Sequence, residues 1–236
     1  MDVIVVMKRA GELFRFERRS SRSPLIEQTW QTQSGSDEHF LSAATRHWEI
    51  VVTRQEGTVW VTVRGPETKA SAAPIPQHAE FFGIVFSPGT FMPGLPPGRL
   101  VDRSLRLPPA TSRSFWLHGT RWEIPGPNNA DVFVDRLVRA DLLVHDPVAA
   151  AAVVGDVAGL STRSVERRVA RATGLTRGTI RQIRRAESGV ELLSLGMAPL
   201  DVARLAGYAD QAHMTRSLRR FVGQTPSEIA APAAGS

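Results

Sequence analysis

The residues with the most chemistry to offer are arginines on short helical stretches in the last third of the chain. In Ser161-Thr162-Arg163-Ser164-Val165-Glu166-Arg167-Arg168-Val169-Ala170-Arg171, Val165 and Val169 stand four apart on one helical face. Arg163, Ser164, Glu166, Arg167 and Arg171 fall away from that face. Further on, Met214, Leu218 and Phe221 share an inner face, while Gln211, His213, Arg216 and Arg219 look outward. Guanidinium forks suit planar anionic acceptors. From Ser161 to Arg185 there are eight arginines against one glutamate. A solvated face mixes signs, so this one-sided run is what a phosphate-facing surface requires.

Those side chains need helices beneath them, and the sequence supplies start and stop signals for two sets. Ser161 is placed to cap the first basic helix and Asp210 the second. Leu200 to Gly207 reads as a short helix closed by glycine, after the break at Gly196 and Pro199. Aligning the turns sets Gly159 opposite Gly207 and Ser161 opposite Ala209, a repeat of 48 residues (209 − 161). Two helix-turn-helix units joined by a helix can present two outward helices on one side, at successive major grooves roughly 34 Å apart.

Composition narrows the classes. The 236 residues carry a net charge of +6 and a pI near 11.0, with Lys8 and Lys69 the only lysines. The absence of cysteine excludes a disulfide framework, a thiol nucleophile and cysteine-ligated metals. The apolar opening, Val3 to Met7, is too short for a signal peptide core, and no segment reaches membrane-spanning length. A cytoplasmic protein that avoids membranes is expected. No G-x-S-x-G, H-E-x-x-H, P-loop or G-x-G-x-x-G pattern occurs, so no enzyme, cofactor or metal site is expected.

The first half differs in kind. Leu13 to Arg18 alternates with period two, and Trp48 to Arg54, Val59 to Arg64 and Phe81 to Phe86 are rich in β-branched and aromatic residues. Gln55-Glu56-Gly57-Thr58 suits a hairpin. Short strands between Pro/Gly turns imply a small β-barrel or sandwich over residues 1–125. All five tryptophans and eight of ten phenylalanines lie there. Trp48, Trp60, Phe82 and Trp116 are candidates for an effector pocket, with a plain hydrophobic core the competing reading. His39, His47, His78 and His118 lack metal-ligand spacing; on them alone rests the alternative of a metal-dependent cupin-type enzyme carrying a DNA tether. Pro125-Gly126-Pro127 marks a boundary. A connecting helix then spans residues 126–145, with Asn129 as its cap and a dimer contact one use for it. The expected class is α+β in two domains, the second over residues 146–236.

At Asp201-Val202-Ala203, Gly207-Tyr208, Asp210-Gln211, His213-Met214, Arg216, Phe221 and Gly223-Gln224-Thr225-Pro226 the chain resembles the DNA-binding domain of the bacterial AraC/XylS transcription regulators. The resemblance covers about residues 148–229. The first unit departs from the pattern at Val154-Gly155-Asp156, where the family carries a Leu-Ala step. Phe82-Gly83-Ile84 and Arg99 to Arg103 look like the cupin-like regulatory domains of some members. The resemblance implies that double-stranded DNA meets Thr162, Arg163, Ser164, Glu166, Arg167, Arg171 and Arg177 in the first unit. In the second it implies Gln211, His213 and Arg216, with Arg219 and Thr225 nearer the backbone. Arg167 and Arg216 can fork onto guanine, Gln211 suits adenine, and Glu166 can accept from cytosine. A small-molecule effector, a homodimer and RNA polymerase are the further partners implied.

Overall fold

The computed structural model describes residues 3–6, 14–35, 39–155 and 161–230. Leu13, Met7 and the turn residues Asp156, Gly159 and Leu160 lie outside them. The first half holds β1 (Val3–Val6), β2 (Phe14–Arg19), β3 (Ile26–Gln33), β4 (His39–Ser42), β5 (Glu49–Gln55), β6 (Thr58–Arg64), β7 (Ser71–Pro74), β8 (Glu80–Phe86) and β9 (Thr90–Phe91). A 3-10 turn at Pro97–Arg99 precedes β10 (Ser104–Arg106), β11 (Pro109–Thr111), β12 (Ser114–Leu117) and β13 (Thr120–Glu123). Then come α1 (Ala130–Arg139), β14 (Val144–His145), α2 (Pro147–Val154), α3 (Thr162–Thr173), α4 (Arg177–Ser194), α5 (Pro199–Leu205), α6 (Gln211–Phe221) and α7 (Pro226–Ala230).

Seven strands form one antiparallel sheet in the order β1-β2-β3-β8-β5-β6-β10, whose edges β1 and β10 do not pair with each other. The architecture is α+β: a β-rich first half and a helical second half, the sheet open rather than closed into a barrel. Alternation along the strands sorts the side chains. Ile50, Val52, Val61, Val63, Phe82 and Ile84 share one face and build the first core with Phe115, Leu117 and Trp122 of the β11-β12-β13 sheet. The β5–β6 hairpin closes on Glu56 and Gly57, both at positive φ (48° and 76°), the twist that two-residue hairpins favour.

On the opposite face Glu49 is half-buried, accepting from the Trp30 indole N–H at 2.8 Å and lying 3.4 Å from Arg64. Burial pushes its carboxyl above the usual range, and Arg64 pulls it back. Trp30 lies flat over Gly83, where a Cβ would come within 2.1 Å of the indole.

The connecting helix is not a free link. Ala130, Phe133, Val134 and Leu137 of α1 are buried in the first core, so α1 belongs to the β half. Its apolar stripe is what drives it there. Asn129 does not cap the helix with its side chain; it turns back to accept from the Gly126 N–H at 2.7 Å. The strand β14 then pairs with β9, Val144 opposite Phe91 and His145 opposite Thr90.

Candidate nucleic-acid interface

The second core belongs to the helices. Val165, Val169, Ala172, Ile180, Ile183, Val202, Met214, Leu218 and Phe221 are all buried in it. Ser161 caps α3 by accepting from the Ser164 N–H at 3.3 Å, and Asp210 caps α6 by accepting from the His213 N–H at 2.6 Å. Between them runs α4, 18 residues and so about 27 Å long. Gly207, at φ 74°, ends the helix before α6, with the Tyr208 N–H returning to Ala203 O at 2.8 Å. Gly155, at φ 104°, ends α2 in the same way, which is why the first unit's leading helix stops where the sequence departs from the family pattern.

The internal repeat is 49 residues, not the 48 that the turns suggest. The caps Ser161 and Asp210 differ by 49 (210 − 161), and so do the buried pairs Val165/Met214, Val169/Leu218 and Ala172/Phe221. Packing and capping set the register here, and the turn before α6 is one residue out of step with it. At this offset Arg167 and Arg216 are equivalent, both exposed and on the same face of their helices. Thr162 and Gln211 are equivalent too, each the first residue of its helix.

Other sequence candidates meet partners inside the chain. Arg171, although exposed, stacks over the Phe91 ring of β9 at 5.4 Å. His213 is half-buried, edge-on to Tyr208 at 5.3 Å between ring centres. The Glu228 carboxylate accepts the Thr225 N–H at 2.7 Å, and the Thr225 hydroxyl oxygen accepts the Glu228 N–H at 3.3 Å, a reciprocal cap on α7. The Ser164 hydroxyl is within 3.0 Å of Ser161 Oγ. Glu166 and Arg163 are exposed on α3, Arg219 on α6, and Arg177 is half-buried at the start of α4.

The charge run divides likewise. Arg168 pairs with Asp146 at 3.1 Å, Arg184 donates to Val153 O at 3.0 Å, and Arg185 lies over the Tyr208 ring at 5.4 Å. That leaves Arg163, Arg167, Arg177 and Arg181 of the eight with none of these contacts among the described residues. Arg181, exposed on α4, belongs with the candidates; the sequence showed it only as part of the charge run.

The four rings proposed for an effector pocket do not converge. Trp48 stacks on Phe86 at 3.9 Å and donates its indole N–H to Thr90 O at 2.7 Å. Phe82 is in the first core, Trp60 is on the other face of the sheet under Arg106, and Trp116 is 43% exposed on β12. Of the histidines, His47 is half-buried against the helical half, its Nδ1 3.2 Å from Phe86 O. Burial, with Arg46 beside it, lowers its pKa to about 4. His118 sits in a turn at φ 48° against Gly94, far in sequence and setting from His47. Among the described residues no three His, Cys, Asp or Glu side chains group as a metal set, and no helix is long and apolar enough to cross a membrane.

Residues 154–231 match a family described as a helix-turn-helix domain. No curated protein sequence matches the chain. Among solved structures, a crystal structure of ToxT from Vibrio cholerae O395 is similar over 89% of this chain and 98% of its own, at 8% identity and a TM-score of 0.43. A second ToxT structure from Vibrio cholerae, at 1.65 Å, covers 91% and 97%, at 8% identity and a TM-score of 0.39.

Proposed function

We propose that this chain, which carries an AraC-type helix-turn-helix domain over residues 154–231, is a DNA-binding transcription regulator that reads two successive major grooves. The observation that carries this reading is the matched pair of α3 and α6. Each is capped, each buries three residues at the same 49-residue offset, and each presents an arginine, Arg167 or Arg216, at the equivalent outward position. Arginine at such a position can fork onto guanine O6 and N7, while Arg163, Arg177, Arg181 and Arg219 attract phosphate. Gln211 and Glu166 add base-edge hydrogen bonds in our assignment, and His213, tied to Tyr208, supports the helix more than it reads. The β half modulates this binding, through an effector or a second copy of the chain, and RNA polymerase is a further partner in this reading.

Selection of duplexes from a random pool by the full chain, followed by footprinting, tests it. The expected result is two protected major-groove segments about one helical turn, or 34–36 Å, apart. Binding that weakens with salt by at least a few phosphate contacts' worth is expected alongside. A chain that enriches no duplex, or binds without salt dependence, overturns the reading.

A further inference from the structure

The β half touches both helix-turn-helix units, and the two contacts are joined inside it. At the first unit, the 3-10 turn Pro97–Arg99 packs against α3. Gly174, the left-handed residue that ends α3, faces Gly98 so closely that a Cβ would stand 2.7 Å from Gly98 N. At the second unit, the Ala44 N–H donates to Phe221 O at 2.7 Å and the Ala70 N–H to Arg220 O at 2.8 Å. These are two of the last carbonyls of α6, which have no partner within their own helix. Leu41 and Ala70 also close over Gly223, just past the helix end.

The turn after Pro97–Arg99 is bonded directly to the turn that carries Ala70. Gly65 N–H donates to Arg103 O at 3.0 Å and Asp102 N–H to Pro66 O at 2.9 Å. The Asp102 carboxylate accepts the Thr68 N–H at 2.6 Å and the Thr68 hydroxyl at 2.7 Å. Asp102 holds this position at φ 55°, in the left-handed region. Gly65 lies so close to Leu100 that no side chain fits between them. A path of hydrogen bonds and backbone contacts therefore runs from the end of α3, through Gly98, Asp102, Thr68 and Ala70, to the end of α6. The path is independent of α4.

We infer that residues 65–70 and 97–103 of the β half form a brace that sets the separation of α3 and α6, with Asp102 as its positioning residue, so that the β half takes part in choosing the spacing between DNA half-sites. This rests on the reading of both units as DNA readers. One base pair inserted between half-sites moves them by about 3.4 Å and roughly 34°. A linking helix held at one end of each unit can twist to follow that change. A second strut resists it.

The test uses the full chain. Since it contains no cysteine, Ala170→Cys on α3 and Ala212→Cys on α6, both exposed, allow two spin labels and a distance measurement without other changes. Asp102→Gly removes the carboxylate while accepting the left-handed turn, and Asp102→Asn keeps one acceptor oxygen and tolerates the same φ. Expected is one narrow distance distribution in the parent, a broadened or shifted one with Asp102→Gly, and recovery with Asp102→Asn. Duplexes selected by the parent chain, remade with one base pair inserted or removed, supply the second reading. Asp102→Gly is expected to lower discrimination between spacings by at least about fivefold, the low end of a typical coupling. An unchanged distance distribution, or a broadened one with unchanged spacing discrimination, overturns the inference. Failure of the parent to select any duplex would instead count against the DNA-reading proposal, and the distance measurement would then decide the brace alone.

Discussion

The two helix-turn-helix units share a register but differ in what holds them. The first lies against the β half along α3: Phe91 enters the helical core, Arg171 stacks on its ring and Gly174 abuts Gly98, while Arg168 pairs with Asp146 within the helical half. The second is held by its own cap and core, and α6 meets the β half at its last turn and just past it. So the unit that is richer in arginine spends more of it on the fold. The count of positive charge along the chain overstates what the first unit can offer a phosphate backbone, and Arg216 and Arg219 of the second stand freer than their number suggests.

Removing the β half's anchor on the first unit would break this comparison most directly. Phe91→Ala deletes a buried ring and is expected to cost about 3–5 kcal/mol in thermal unfolding of the full chain. Amide exchange should rise in α3 well before α6; equal rises would show that the two units depend on the β half alike.

A pH series probes the same seam. His47 lines the crevice shared with Val153, Ala172, Thr173 and Ile180 of the helical half. Folding lowers its pKa from 6.5 to about 4, so between those values the unfolded chain binds a proton that the native chain refuses. Stability is therefore complete above pH 6.5 and declines as pH falls toward 4, by at most about 3 kcal/mol. His47→Gln should flatten that part of the curve relative to the parent, whatever half-buried Glu49 adds in the opposite sense; an unchanged slope would remove His47 from the seam.

On DNA, Arg216→Ala is expected to weaken a selected duplex by about 1–3 kcal/mol and to relax one base preference. Equal loss on random duplex would reduce Arg216 to a phosphate contact. The smallest effect is expected from Arg171→Ala, about 0.5–1 kcal/mol of stability from the lost ring contact, with DNA affinity nearly unchanged. A large loss of affinity would restore Arg171 to the interface and erase the contrast between the units.

The strands, the caps Ser161 and Asp210, and the inward triads of α3 and α6 were legible because each follows from a local rule: alternation, a side-chain acceptor before a helix, spacing of three and four. The register of the repeat was misread by one residue because the glycine ahead of each cap stands at a different sequence distance from it (Gly159 from Ser161, Gly207 from Asp210), while the core triads keep one offset. Asn129 was misread because its side chain had a second donor, Gly126 N–H, within reach. His213 could be read from the sequence either as a helix-packing residue or as a DNA contact, but the engagement of Arg171 and Thr225 was hidden, since only the fold brings Phe91 to Arg171, and an exposed polar position looks the same whether its partner is inside or outside the molecule. Asp102 was marked only as one residue of the stretch Arg99 to Arg103, and nothing in the order of residues marked Ala70. Their role comes from two turns far apart in sequence lying side by side.

The meeting of Gly98 and Gly174 carries a consequence for inheritance and engineering. Each half brings one glycine, and Gly174 cannot gain a side chain without displacing the Gly98 backbone, whereas a Cβ on Gly98 would stand 3.6 Å from Gly174 Cα, an ordinary contact. The halves are thus fitted to each other at the level of the main chain. A chimera that sets another helical half on this β domain would need a glycine where Gly174 stands, and exchange of parts among distant relatives is limited to partners that keep that position bare.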